Sequence, residues 1–171
     1  MLRAALAEDA GRIAQLHIKS WRRTYGRELS AAFLDAQDAD VWAMMWQSHL
    51  QEGVRVLLAE EGADLVGFVA CGPARCKGAG REAWEIYNLH VNGDRHRCGI
   101  GSELFTGASD LGRAQGAGEL VLWVVETNSG ARSFYEIKGM VCDGSRQERP
   151  LGDGQRLHEV HYRMRISGDR S

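Results

Sequence analysis

The chain has 171 residues, 44% of them hydrophobic and 26% charged, and 21 Lys and Arg against 23 Asp and Glu leave a formal net charge of -2. A chain of this length hides roughly two-thirds of the surface it would expose unfolded, so residues 1–171 are expected to form a single domain with its own core. The charge balance lacks the basic excess that nucleic-acid phosphates demand, and no apolar run is long enough to span a bilayer, so neither nucleic acid nor a membrane is an expected partner.

In chain order, residues 2–6 read as a short strand, and the stretch from Met1 to Asp9 turns acidic too soon for a signal peptide, which predicts a cytoplasmic protein. Asp9 is positioned to cap a helix in which Ile13, Leu16, Trp21 and Tyr25 recur at helical spacing and which ends near Gly26. A second helix is predicted from about Asp38 to Gln51, with Val41, Met44, Met45 and Leu50 on one covered side and Trp42 and Trp46 widening the apolar face. Residues 54–59 and 65–71, separated by Glu61-Gly62-Ala63-Asp64, read as an antiparallel hairpin. The turn Lys77-Gly78-Ala79-Gly80 then introduces a further strand over 84–91.

Ile100, Leu104, Ala108 and Leu111 predict a helix that stops at Gly116 and Gly118. Residues 120–125 are continuously apolar, as in a strand buried on both faces. A short helix over 130–138 packs Ala131, Phe134 and Tyr135 and ends at Gly139. Val141 and residues 158–166 can supply two closing strands, and the polar stretch 164–171 is expected to be a flexible tail. Pro73 and Pro150 are the only prolines, and no linker or repeat interrupts the chain. The fold class is therefore α+β, with helices around one mostly antiparallel sheet whose middle strand-helix-strand unit is parallel.

The turn Gly99-Ile100-Gly101 falls where a strand gives way to a helix, so its backbone N–H groups can face outward at the positive end of the helix dipole and hold an anion. Glycine lets the backbone approach phosphate oxygens, and Arg95 and Arg97 can add charge-assisted contacts. A bare Gly-x-Gly also serves an ordinary tight turn. Leu104 stands where a dinucleotide fingerprint needs its third glycine, and no Gly-Lys-Ser/Thr follows as in a P-loop. Cys71, Cys76, Cys98 and Cys142 contain no Cys-x-x-Cys pair and are expected to be free thiols. Cys98 has no His-Asp or His-Asn arrangement legible beside it and is not read as a nucleophile. On a strand, the spacing of His158 and His161 sends their rings to opposite faces, so they are not read as a metal pair, and His17 and His49 read as surface or core fillers.

The stretch from Leu89 to Leu104 resembles the strand-loop-helix motif of the GNAT superfamily of acetyl-CoA-dependent N-acetyltransferases, whose pattern is Gln/Arg-x-x-Gly-x-Gly/Ala. Gly99 and Gly101 match, His96 takes the Gln/Arg position, and Gly93 replaces a frequent proline. Downstream, the stretch from Val125 to Met140 resembles the strand-to-helix segment that ends in Tyr-x-x-x-Gly-Phe. Trp21-Arg22-Arg23-Thr24-Tyr25-Gly26 and Glu159-Val160-His161-Tyr162-Arg163 also look like segments of prokaryotic members, so the resemblance spans nearly the whole chain.

The resemblance implies a mixed sheet flanked by helices on both faces, with a central parallel strand pair that splays apart to admit the pantetheine arm of acetyl-CoA. It assigns cofactor contacts to Leu89, His90, Val91, His96, Arg97, Cys98, Gly99, Ile100, Gly101, Ser102, Asn128 and Tyr135. Asn128 otherwise reads as a helix cap. An amide near Leu89 would polarise the acetyl carbonyl, Tyr135 would protonate the departing thiolate, and Glu85 is the candidate general base, with His90 a rival and an exposed strand carboxylate the bland alternative. Trp21, Tyr25, Phe33, Trp42 and Trp46 could shape acceptor selectivity, although aromatics at helical spacing are more often core. The expected acceptor is a small primary amine, with a protein N-terminus or lysine, or a non-catalytic acyl-CoA sensor, as alternatives; a homodimer is a further expectation from the resemblance.

Overall fold

The computed structural model describes residues 1–75, 82–95 and 98–166. Cys76, the turn predicted at 77–80, His96, Arg97 and the end of the predicted tail, 167–171, lie outside the described residues. The strands are β1 (Leu2–Ala4), β2 (Arg55–Glu61), β3 (Asp64–Pro73), β4 (Ala83–Val91), β5 (Glu119–Val125), β6 (Val141–Gly152) and β7 (Gln155–Arg165). The helices are α1 (Ala10–Tyr25), α2 (Ala31–Asp35), α3 (Ala39–Gln51), α4 (Ile100–Ala114) and α5 (Ser129–Ile137). The strands form one mixed sheet in the order β1-β2-β3-β4-β5-β7-β6, parallel at β4–β5 and antiparallel at β1–β2, β2–β3, β5–β7 and β6–β7, as the α+β reading predicts.

The chain makes two compact units, Met1–Cys71 with Asn88–Ala108, and Gly72–Tyr87 with Ser109–Ser171. In the first, successive residues of β3 serve opposite faces of the sheet. A Cβ added at Gly67 would meet Leu104 at 2.9 Å and Ile100 at 3.1 Å, so α4 lies directly against that face. The ring of Phe68, one residue on, lies 5.5 Å from His17 and 5.3 Å from Trp46, so α1 and α3 cover the other. Phe68 and Trp46 are essentially fully buried, and truncating either to alanine is expected to cost about 3–5 kcal/mol.

Two sequence expectations are corrected in this unit. The covered face of α3 is that of Trp46, while Val41 and Met44 are 61% and 70% exposed and Met45 is also exposed, because the chain docks the larger apolar surface of the indole inward. Asp9 does not cap α1 through its side chain; its carboxylate accepts the Leu6 N–H at 2.8 Å, closing a 3₁₀ turn over Ala7–Asp9, and binds Arg3 at 2.7 and 2.8 Å. Between α1 and α3 the short helix α2 forms as well, capped by Ser30, whose hydroxyl accepts the Phe33 N–H at 3.2 Å.

In the second unit, β4 and β5 pair from Ala83↔Glu119 to Ile86↔Leu122, and all of β5 pairs with β7. Trp84, Leu120, Leu122, Val124 and Tyr162 therefore share one face. A Cβ at Gly112 would come within 2.9 Å of Trp84, which sets α4 on it, and the Tyr162 hydroxyl donates to Glu136 at 2.7 Å and accepts from Arg132 at 3.1 Å, which docks α5. Glu85, Val121, Trp123, Glu159, His161 and Arg163 lie on the opposite face.

The closing strands are longer than predicted. β6 and β7 form a hairpin turned by Asp153 (φ 47°) and Gly154 (φ 73°) between Gly152 and Gln155, the two left-handed residues of a two-residue turn. β6 is the sheet's last strand, mostly exposed, and carries Pro150, which an edge tolerates because it has no N–H to donate. The expected tail is corrected at its start: Met164 and Arg165 complete β7, and Ile166 is buried with its N–H bonded to Gly118 O at 3.0 Å.

Candidate active site

The turn between β4 and α4 carries the two glycines read from the sequence as an anion site. Gly99 has φ +83°, and among the described residues nothing lies within 4 Å of where its Cβ would be, so glycine serves the backbone conformation here. Its carbonyl accepts the Glu103 N–H at 3.0 Å and opens α4, leaving the N–H groups of Ile100, Gly101 and Ser102 in the first turn, where a helix offers no acceptor. Ile100 is buried and pins the turn, whereas Cys98 and Gly99 are exposed. Arg95, expected to add charge at the turn, is instead paired with Glu61 at 3.1 Å.

Along β4, Ala83 to Ile86 are all buried, the stretch that pairs with β5, whereas residues 87–91 are half-buried. Leu89 and Val91 belong to this second stretch. The ring of His90 turns toward α1, with Nδ1 2.8 Å from the Ser20 hydroxyl and the ring 4.5 Å from His17 and 5.4 Å from Phe68. The same cluster takes in Trp21 and Trp46, which are buried; Tyr25, Phe33 and Trp42 are half-buried, and the Trp42 indole N–H donates to Gln37 at 3.1 Å.

Glu85 is 8% exposed, which sets aside the reading of an exposed strand carboxylate. Burial raises its pKa above the ordinary carboxylate range, opposed by the Arg75 backbone N–H, which donates to it at 2.7 Å, and by the positive charge of Arg75 and His161. Arg75 also stacks on the Tyr87 ring at 3.7 Å, and the Tyr87 hydroxyl donates to Pro73 O at 2.6 Å.

Tyr135 is buried in α5, its ring 5.3 Å from Phe134 and 6.3 Å from Tyr162. Arg132 ties the helix down by donating to the Glu126 carbonyl at 3.1 Å in addition to Tyr162. Asn128 caps α5, its Oδ1 accepting the Ala131 N–H at 3.1 Å, so the capping role read as the alternative is present.

Sequence reasoning missed one pair. His161 Nδ1 lies 2.6 Å from Asp143 Oδ2. No spacing rule could find it, because Asp143 sits in the irregular stretch where β6 pairing skips from Cys142↔Tyr162 to Arg146↔Val160. His158 is exposed and His161 buried, their positions on β7 alternating between faces, and no group of three or more His, Cys, Asp or Glu suited to a metal exists among the described residues. A cavity of about 290 Å³ on α1 is lined by Gln15, Ile18, Lys19, Arg22, Gln37 and Ala39; its cations would repel an ammonium group. Among the described residues no helix is long and apolar enough to cross a membrane.

Residues 12–140 match the family described as the acetyltransferase (GNAT) family. The chain is 30% identical over 127 residues to the uncharacterized N-acetyltransferase YuaI of Bacillus subtilis, covering 74% of this chain and 72% of that protein. It is 29% identical over 170 residues to a probable N-acetyltransferase of Mycobacterium tuberculosis, covering 95% and 92%. Its fold is similar to that of YncA, a putative acetyltransferase from Salmonella typhimurium solved with its cofactor acetyl-CoA, with a TM-score of 0.74 at 17% identity over 100% of this chain and 96% of that one. It is also similar to the PaiA N-acetyltransferase of Thermoplasma acidophilum in complex with coenzyme A, with a TM-score of 0.72 at 20% identity over 94% and 96%. With the motif, the mixed sheet and the family match agreeing over most of its length, this chain belongs to the GNAT family of acetyltransferases.

Proposed function

We propose that this N-acetyltransferase, acting as a single catalytic domain, moves the acetyl group of acetyl-CoA directly onto a small primary amine. Glu85 carries the reading. An alkylamine with a pKa of about 10 is protonated at neutral pH, so a direct transfer needs a base, and a carboxyl buried on a central strand and raised by that burial is suited to take the proton. Acetyl-CoA supplies the activated thioester carbonyl. The first-turn amides of Ile100, Gly101 and Ser102 hold its diphosphate, helped by the dipole of α4, with His96, Arg97 and Cys98 preceding them in the sequence. The backbone of Leu89, His90 and Val91 offers strand-type hydrogen bonds, His90 by its main chain since its ring faces Ser20. Asn128 opens α5, and Tyr135 on that helix gives its hydroxyl proton to the departing sulfur.

The test is thiol release from acetyl-CoA against polyamines, amino acids, aminoglycosides and N-terminal peptides, with Tyr135→Phe beside the parent. We expect turnover with a small amine that drops on the order of 10²-fold in kcat in the variant, at unchanged acetyl-CoA affinity. Turnover confined to peptides would reassign the acceptor to a protein, and tight acetyl-CoA binding with no release would make the chain a sensor.

A further inference from the structure

Beside Glu85 the second unit holds a cation with no task in the scheme above. The Arg75 backbone N–H donates to Glu85 Oε2 at 2.7 Å, and the Arg75 guanidinium carbon lies 3.7 Å from the centre of the Tyr87 ring. Tyr87 stands two residues after Glu85 on β4, on the same face of the strand and about 7 Å along it. Its ring is fixed at the edge. The hydroxyl donates to Pro73 O at 2.6 Å, and Gly72 leaves the room for it, since a Cβ there would come within 2.6 Å of the Tyr87 oxygen. One face of the ring is thus presented to Arg75.

Arg3, Arg149 and Arg163 each close on a carboxylate. Arg75 is exposed, and among the described residues its guanidinium forms no ion pair; its contact is the aromatic face. A guanidinium stacked in this way keeps its N–H groups around the rim, where two of them match the two oxygens of a carboxylate. Of the Glu85 oxygens, only the one that takes the Arg75 amide is hydrogen-bonded among the described residues, which leaves the other for an amine. The positive charge of Arg75 favours the ionised form of Glu85, and it repels an ammonium brought to that carboxylate. A polyamine arrives with positive charge alone. A zwitterion brings the anion that offsets the repulsion.

We infer that the acceptor is an amino acid, its ammonium group meeting Glu85 and its carboxylate held by the Arg75 guanidinium. The inference rests on the proposed role of Glu85. A hydrogen bond of about 3 Å at each end, added to the short span between the amine and the carboxylate of an amino acid, suits the spacing of Glu85 and Tyr87 along the strand. Tyr87 already holds the arginine in place, so little side-chain freedom is lost when the carboxylate binds. Arg75 selects the acceptor and takes no part in the proton transfer.

The experiment is the thiol-release assay with matched acceptors, each amino acid beside its primary amide and its decarboxylated amine, on the parent, Arg75→Gln, Arg75→Lys and Glu85→Gln. We expect the parent to use the amino acid with a kcat/KM on the order of 10-fold or more above that of the amide. Arg75→Gln should raise the amino-acid KM by a similar factor with a smaller effect on kcat, the loss falling on the acid and not on the amide. Arg75→Lys keeps the charge without the fork and should restore part of the preference. Equal use of acid, amide and decarboxylated amine by the parent, or equal losses for acid and amide in Arg75→Gln, would overturn the inference while leaving acetyl transfer standing. Glu85→Gln should lower kcat with every acceptor; an unchanged kcat would remove Glu85 as the base and the inference with it. A parent that releases no thiol with any acceptor would overturn the proposed activity as a whole. Arg75 is exposed, so its variants are expected to keep the parent's melting temperature.

Discussion

Helices α4 and α5 both follow a central strand, yet they spend their first-turn amides differently. α4 opens at Gly99, which has no side chain to offer to the amides beyond it. α5 opens at Asn128, whose Oδ1 takes the Ala131 N–H into the fold. A third start, at α1, goes further: Asp9 turns its carboxylate back to Leu6 and Arg3 and builds an ion cluster with Arg12 and Glu60. A helix start closed by its own residues stabilises the fold, whereas one without a side-chain cap is suited to an anion.

The largest effect is expected at α1. Hydrogen bonds from Arg3 lead in holding Asp9 at about 2. The folded value lies below the unfolded one, near 4, so the bonds contribute about 2 kcal/mol above that range, and this is lost as pH falls from about 4 toward 2. Asp9→Asn should lower the melting temperature near neutral pH and flatten its decline in acid; a variant that melts with the parent at every pH would remove the cluster from the account. At α4, Gly99→Ala puts a side chain in the left-handed region at a cost of roughly 1–2 kcal/mol. If the turn holds acetyl-CoA, its KM should rise about tenfold, whereas a loss of stability alone would return the turn to a structural role. Asn128→Ala removes one cap and should destabilise by about 1 kcal/mol, read as a shift in the urea midpoint, with a smaller change in acetyl-CoA affinity than at Gly99. Equal affinity losses at the two starts would erase the distinction.

The strand-helix-strand from β4 to β5 was legible because three local signals agree there: a glycine turn, helical spacing from Ile100 to Leu111, and an unbroken apolar run. Where a segment is apolar on two sides the sequence leaves the choice open, and in α3 the tertiary fold chose Trp46 over Val41 and Met44. β6 was hidden for the opposite reason, since Arg146, Gln147, Glu148 and Arg149 show no apolar alternation, although Asp153-Gly154 is itself a hairpin signal. At the site, the buried setting of Glu85 depends on a backbone amide ten residues away, and the Asp143–His161 pair depends on an irregular ladder; spacing carries neither.

The polar character of β6 also bears on behaviour at high concentration. An open sheet edge is a template on which another chain can add a strand and start a fibril. Here the edge offers a proline without an N–H, an irregularity after Cys142 and a run of exposed charges, so each register an incoming strand could try meets a missing donor, a break in the ladder or an unmatched charge. The side of the sheet that contributes least to the core is in this way the side that protects the protein from aggregation.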